Sequence, residues 1–111
     1  MATKIILDSS KFKDERPFSE RILETDDFLL IHFYLKQGQK IPMHTSPSLV
    51  LITVLEGKGR FFYGSEENFE DLDCGETIKY QPEEPHGFSA LEDMVVQALV
   101  IPKPVKRVSI S

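Results

Sequence analysis

The sequence predicts an all-β fold, either a sandwich or a closed barrel. No stretch carries a sustained helical period, and about eight to ten short apolar segments follow one another, with turn residues roughly every 8–12 positions. A chain of 111 residues can build one hydrophobic core but not two, so a single domain over residues 1–111 is expected.

The N-terminal part is predicted to hold strands separated by polar connections. Before Gly38 we expect a strand at 4–8, an irregular connection at 9–18, a strand at 19–24 with Ile22 inward, and a strand at 28–36. The connection is irregular because its residues are polar and Pro17 interrupts it. The strand at 28–36 has the clearest pattern, since it combines leucine with β-branched and aromatic residues.

The central and C-terminal parts are predicted to be extended throughout. A short strand at 41–43 leads to His44, and residues 49–55 form the most apolar strand, with almost no alternation, so both of its faces should be covered. Further strands are expected at 60–63, 69–72, 76–80, 87–91 and 94–101. Pro102 and Pro104 then end regular structure.

Charge and cysteine content exclude several functional classes. The net charge is −5, from 18 acidic against 13 basic residues, which argues against a nucleic-acid-binding surface. No apolar run reaches the roughly 18 residues that a membrane span needs. The single cysteine, Cys74, cannot form an internal disulfide, and the N-terminus lacks a signal-peptide pattern. A cytoplasmic location is therefore expected.

Two glycine-bounded stretches resemble the paired motifs of the cupin superfamily, a family of small double-stranded β-helix, or jelly-roll, barrels. The first family motif, G-x5-H-x-H-x3–4-E-x6-G, is matched in spacing by Gly38, His44 and Gly57. The second, G-x5-P-x-G-x2-H-x3-N, is matched by Gly75 and His86. The resemblance implies a motif core over 28–101, with N-terminal strands and a loop at 1–27 and a tail at 102–111.

The chain departs from these motifs at the positions that would bind metal. In metal-binding cupins the ligands would be three histidines and a glutamate, and only His44 and His86 carry over, because Ser46 and Val50 occupy the other two first-motif positions. In the second motif the proline, glycine and asparagine positions hold other residues, namely Gln81, Glu83 and Ala90.

Two imidazoles are few for a transition-metal site. Catalytic zinc usually has three protein ligands, and non-haem iron uses two histidines and a carboxylate. His32, on the preceding strand, is a possible third ligand, although strand parity alone does not say which way it faces. A divalent metal such as Zn, Fe, Mn or Ni is one expectation, and the ligand count favours the other, that no metal binds.

The favoured function is a stand-alone cupin barrel that binds a small polar or anionic molecule near His44 and His86, with Ser46 and Val50 lining the same site. The alternative is a metal-dependent enzyme of dioxygenase or isomerase type with a reduced two-histidine ligand set. A sensor fused to a DNA-binding helix-turn-helix is disfavoured, because the 111 residues leave no room for one. The second apolar face of the strand at 49–55 predicts a homodimer, since it needs a cover.

Overall fold

The computed structural model describes residues 2–104, and nine strands run through them in two antiparallel sheets. The strands are β1 (Phe18–Glu24), β2 (Leu29–Leu35), β3 (Lys40–His44), β4 (Leu49–Glu56), β5 (Lys58–Tyr63), β6 (Ser65–Asp73), β7 (Thr77–Tyr80), β8 (His86–Ala90) and β9 (Met94–Ile101). One sheet has the order β1-β2-β9-β4-β7 and the other the order β3-β8-β5-β6. The predicted all-β jelly-roll barrel is confirmed.

The core lies between the two sheets and is filled by the inward side chains of alternating positions. On β4, Val50, Ile52 and Val54 are buried. The intervening residues on the outer face, among them Leu49 and Leu51, are only half-buried. The expectation that both faces of this strand are covered therefore does not hold within a single chain.

A tight turn between β4 and β5 requires glycine at position 57. Gly57 has a φ of +82°, and a Cβ atom there would lie 2.1 Å from the carbonyl oxygen of Asp93. Both the left-handed backbone and the close approach exclude a side chain. This contact brings the β8–β9 turn against the β4–β5 turn.

The predicted strand at 4–8 is absent: residues 2–8 have no regular structure. Asp8 instead caps a 3-10 turn, Ser9–Lys11, by accepting a hydrogen bond from the Ser10 backbone N–H. A short apolar run needs a partner strand to become extended, and this one pairs with none. The predicted irregular connection is confirmed, apart from that 3-10 turn.

The segment before β1 packs on the outer face of the five-stranded sheet. The ring of Phe12 meets the ring of Tyr34 edge to face, with centroids 5.3 Å apart. Tyr34 is buried as a result. Within residues 2–104 no helix is long and apolar enough to cross a membrane. The predicted tail at 102–111 extends past the described residues after Pro104.

Candidate functional site

Two histidines on neighbouring strands lie in contact at one end of the barrel. His44 ends β3 and His86 begins β8, and the two residues are opposite each other in the strand pairing. Their ring centroids are 4.2 Å apart, with 59° between the ring planes. We call these residues the histidine pair. The expectation that the fold brings the two motifs together at their histidines is met by this geometry.

Gly87 allows the two strands to come this close. A Cβ atom at Gly87 would lie 2.8 Å from the carbonyl oxygen of Ile41 and about as near to the β3 backbone at Pro42 and Met43. The backbone of β8 is therefore packed directly on β3 beside the pair.

The main chain determines the tautomer of each neutral ring. His44 Nδ1 lies 2.9 Å from the carbonyl oxygen of Pro42, and His86 Nδ1 lies 2.9 Å from that of Glu84. A carbonyl oxygen can only accept a hydrogen bond, so each Nδ1 carries the proton and donates it. Each Nε2 then carries a lone pair, and neither Nε2 bonds to a side chain or backbone group within residues 2–104.

The two rings differ in exposure. His44 is exposed, whereas His86 is only 3% exposed. Burial lowers the pKa of His86, and the neighbouring His44 lowers it further, while the hydrogen bond to the Glu84 carbonyl acts in the opposite direction. His86 is therefore a neutral imidazole at pH 7.

Tyr80 supports the buried ring from its other side. Its ring stacks on that of His86, with centroids 4.6 Å apart and 23° between the planes. The Tyr80 hydroxyl is buried and has no hydrogen-bond partner in the described part of the chain, and this burial raises the pKa of Tyr80. Sequence reasoning missed this residue, although its alternation with Ile78 on β7 indicates an inward side chain.

The histidine pair opens onto a cavity of about 480 Å³ between the two sheets. Polar side chains lie at the end where the pair is, namely His44, Thr45, Ser46 and His86. The rest of the wall is apolar and is formed chiefly by Leu29, Ile31, Phe33, Val50, Ile52 and Phe88. Val50, which was expected at the site, lines the cavity together with Ile52, whereas Val54 is buried but is not part of the cavity wall.

Two loops and the segment after β9 meet at this end of the barrel and are held by hydrogen bonds to main-chain carbonyls. The Glu83 N–H donates to the Ser46 carbonyl at 2.7 Å, which ties the β7–β8 loop to the β3–β4 loop. The buried Ser48 hydroxyl donates to the Pro102 carbonyl at 2.6 Å. Pro104, two residues further on, lines the cavity. The chain after β9 therefore borders the same opening.

A comparison with solved structures identifies the family. No protein-family model matches the sequence, and no curated protein sequence matches it. An RmlC-like cupin protein from Desulfovibrio desulfuricans superposes with a TM-score of 0.85 at 30% sequence identity, over 93% of this chain and 98% of that one. The chain belongs to the cupin superfamily.

Other solved structures share the fold at lower identity. A conserved protein of unknown function from Streptococcus pyogenes matches at a TM-score of 0.75 and 23% identity, over 96% of this cupin and 93% of that chain. KdgF from a Halomonas species matches at 0.74 and 20% identity, over 85% and 84% of the two chains. At these identities the likeness extends to the fold alone.

The residues of this cupin do not fit a transition-metal site. Of the described residues that line the cavity, only the histidine pair offers side-chain nitrogen ligands, and Val50 forms an apolar wall where the family motif has glutamate. No group of three or more His, Cys, Asp or Glu side chains suited to a metal occurs within residues 2–104. Two ligands are fewer than the three protein ligands that catalytic zinc and non-haem iron sites have.

His32 is not brought to the cavity. Its neighbours on β2, Ile31 and Phe33, line the cavity, so His32 faces the outer side of the sheet. There its Nε2 lies 3.0 Å from Oε1 of Gln97, its partner on β9. The possible third metal ligand is therefore a buried residue of the outer face, on the wrong side of the strand for ligation.

The side chains of Ser46 and Cys74 each make a hydrogen bond with the main chain. The Ser46 hydroxyl accepts a hydrogen bond from the Ser48 N–H at 3.2 Å, and it lines the cavity without bonding to either histidine. Cys74 is exposed in the β6–β7 turn, where its thiol donates to the Leu55 carbonyl. Leu55 lies near the end of β4 that is remote from the histidine pair, so Cys74 is outside the site.

Proposed function

We propose that this cupin binds a small molecule in its cavity, with the polar group of the ligand at the histidine pair and its apolar body against the wall. The observation that carries the proposal is the pair of imidazoles in contact at one end of an otherwise apolar cavity, each with an Nε2 that has no hydrogen-bond partner among residues 2–104. The volume, about 480 Å³, falls in the usual range for small-molecule sites.

The site supports binding better than catalysis. Each Nδ1 is held by a main-chain carbonyl, so neither ring is oriented by a hydrogen bond to a carboxylate. Ser46, a hydroxyl that lines the cavity, is not hydrogen-bonded to His44 or His86. General acid–base or nucleophilic chemistry needs such partners within hydrogen-bond reach.

A direct test uses two neighbouring residues of β4 that face opposite sides of the sheet. Ile52→Phe fills the cavity, whereas Leu51→Phe adds the same volume on the outer face. A library of small alcohols, acids and sugars is screened by thermal shift, because a ligand of the native state raises the melting temperature by mass action. We expect compounds that stabilise the wild type to lose their effect in Ile52→Phe and to keep it in Leu51→Phe. Equal effects in both variants would refute cavity binding.

Elemental analysis separates this proposal from the metal-dependent alternative. We expect purified protein to carry no stoichiometric transition metal, because the donor set is one ligand short. A stoichiometric metal that is lost in a His44→Ala, His86→Ala double variant would overturn the proposal in favour of the metal-dependent enzyme.

We further propose that the protein is a homodimer through the outer face of the five-stranded sheet. Strand pairing places four leucines in one row across this face, and we call them the leucine row: Leu23, Leu30, Leu99 and Leu51. Leu49 and Ile101 extend the apolar surface beside it, and Leu23 and Ile101 are 40% and 39% exposed. A second copy of the chain has the same apolar surface, and packing the two surfaces together would bury both of them.

A further inference from the structure

The two imidazoles face the cavity as hydrogen-bond acceptors. Because Pro42 and Glu84 carbonyls take the Nδ1 protons, the atoms left for a ligand are the two Nε2 lone pairs. An acceptor pair of this kind has nothing to donate to a carboxylate. It is complementary to a ligand group that carries an O–H or N–H.

Among the described residues, no positive charge lines the cavity to balance an anion. Within residues 2–104, no lysine or arginine lines it. A carboxylate moved into such a wall loses its hydration and gains no counter-ion. A neutral head group avoids this cost.

The remaining polar groups suit a hydroxyl in particular. Thr45 and Ser46 line the cavity at the histidine end, and a hydroxyl can donate one hydrogen bond while accepting another. The Ser46 oxygen already accepts from the Ser48 N–H, so its own proton is available for a ligand oxygen. One ligand hydroxyl can therefore donate to an Nε2 and accept from a side-chain hydroxyl.

From these contacts we infer that the ligand is a neutral alcohol or phenol with an apolar body, and that the cavity discriminates against the corresponding carboxylate. This inference rests on the proposed function, because it concerns the same cavity. It replaces the broader expectation of a polar or anionic ligand with one chemical class.

Three probes of similar size test it: benzyl alcohol, benzyl methyl ether and benzoate. The ether keeps the oxygen but has no proton to donate, and benzoate carries the charge. Binding to chelator-treated protein is measured by calorimetry or by NMR titration at pH 8. We expect the alcohol to bind at least about tenfold more tightly than the ether, because the ether has no O–H and leaves the acceptor atoms of the site without a hydrogen-bond donor. Benzoate should bind more weakly than either.

The outcomes distinguish this inference from the proposed function. If benzoate binds as tightly as the alcohol, or the ether matches the alcohol, the inference is refuted while cavity binding stands. If none of the three binds, the cavity-binding proposal fails as well. His44→Leu provides the internal control: His44 is exposed, so the fold should survive, and the variant should bind alcohol and ether with more nearly equal affinity.

A second measurement needs no ligand. Nitrogen NMR of ¹⁵N-histidine-labelled protein at pH 8 should show Nδ1 protonated and Nε2 unprotonated in both His44 and His86. A protonated Nε2 in both rings would make the pair a donor and would overturn the inference.

Discussion

At the scale of single residues, the buried hydroxyl of Tyr80 is an unsatisfied group in the core. Its ring stacks on His86, but its oxygen has no hydrogen-bond partner within residues 2–104. An unpaired buried polar group costs stability, so Tyr80→Phe should raise the free energy of unfolding by about 1 kcal/mol while keeping the stack. Urea denaturation measures this change.

Tyr34→Phe is the matched control for that substitution. Tyr34 is equally buried, but its hydroxyl accepts a hydrogen bond from the Asp8 N–H at 3.4 Å. Its removal should therefore not stabilise the protein. If Tyr80→Phe proved destabilising, its hydroxyl would have a partner in solution, and the account of Tyr80 as unsatisfied would be wrong.

Glu83 occupies the position that is glycine in the family motif, and its backbone has the positive φ that glycine favours. Its φ is +67°, which is strained for a residue with a side chain. Glu83→Gly should relieve that strain and, after the added flexibility of the unfolded chain, raise the free energy of unfolding by about 1 kcal/mol. Thermal or chemical denaturation tests this.

Glu84→Gly makes the same change one residue later and should have the opposite sign. The Glu84 carboxylate accepts a hydrogen bond from the Gln81 N–H at 2.9 Å, and this bond is lost in the variant. Equal effects of the two substitutions would show that backbone strain at position 83 is not what governs stability in this loop.

His86 should make stability depend on pH below neutrality. Burial lowers its pKa in the folded protein below the ordinary value of 6.5, so the unfolded chain takes up the proton first as the pH falls. The free energy of unfolding should therefore be highest above pH 6.5 and should decrease between pH 6.5 and 5. The groups that face the ring are His44, Tyr80 and Glu84.

Urea denaturation at a series of pH values measures this dependence, with His86→Gln for comparison. The variant cannot titrate, so its stability should change less between pH 6.5 and 5. An unchanged slope in His86→Gln would assign the pH dependence to other groups.

At the scale of strands, the histidine pair depends on how closely β8 packs on β3. A Cβ atom at position 87 would lie 2.8 Å from the Ile41 carbonyl oxygen, so Gly87→Ala must push the strands apart. Overpacking of this kind should lower the free energy of unfolding by about 2 kcal/mol. The displacement should also change the NMR signals of His44 and weaken ligand binding.

Ser89→Ala is the control on the same strand. Ser89 is half-buried, and the substitution adds no volume, so stability should change by no more than about 0.5 kcal/mol. If Gly87→Ala were equally mild, the close approach of the strands would not be needed for the pair.

Strand pairing also explains which sequence-based predictions failed. The apolar run at 4–8 has the composition of a strand but no partner, and composition alone does not reveal whether a partner edge is free. On β2 the pattern predicts the strand itself, but which face His32 occupies depends on its pairing with Gln97 of β9, far along the chain.

At the scale of the whole molecule, the leucine row tests the proposed dimer. Leu99→Glu places a charge at the centre of the row, between Leu30 and Leu51, and should shift the protein to a monomer in sedimentation velocity. Tyr63→Glu, which changes an exposed aromatic residue of the four-stranded sheet, should leave the dimer intact. A wild-type monomer at all concentrations would refute the dimer.

The sequence by itself determined the class of fold and indicated two residues of the candidate site. Alternating apolar segments and turn glycines are local features, and the spacing of Gly38, His44, Gly57, Gly75 and His86 along the chain is enough to indicate a cupin barrel. Local pattern suffices here because each strand and turn is specified mainly by its own residues.

Only the tertiary structure decided the chemistry that the candidate site presents. The stacking of Tyr80, the apolar wall of the cavity and the outward direction of His32 depend on contacts between strands that are distant in sequence. The tautomers of the histidine pair depend on carbonyl groups only two residues away, whose directions the folded backbone sets. Strand parity does not predict how the two rings meet, because the irregularity in the β3–β8 pairing between Ile41 and His44 shifts the register next to the site.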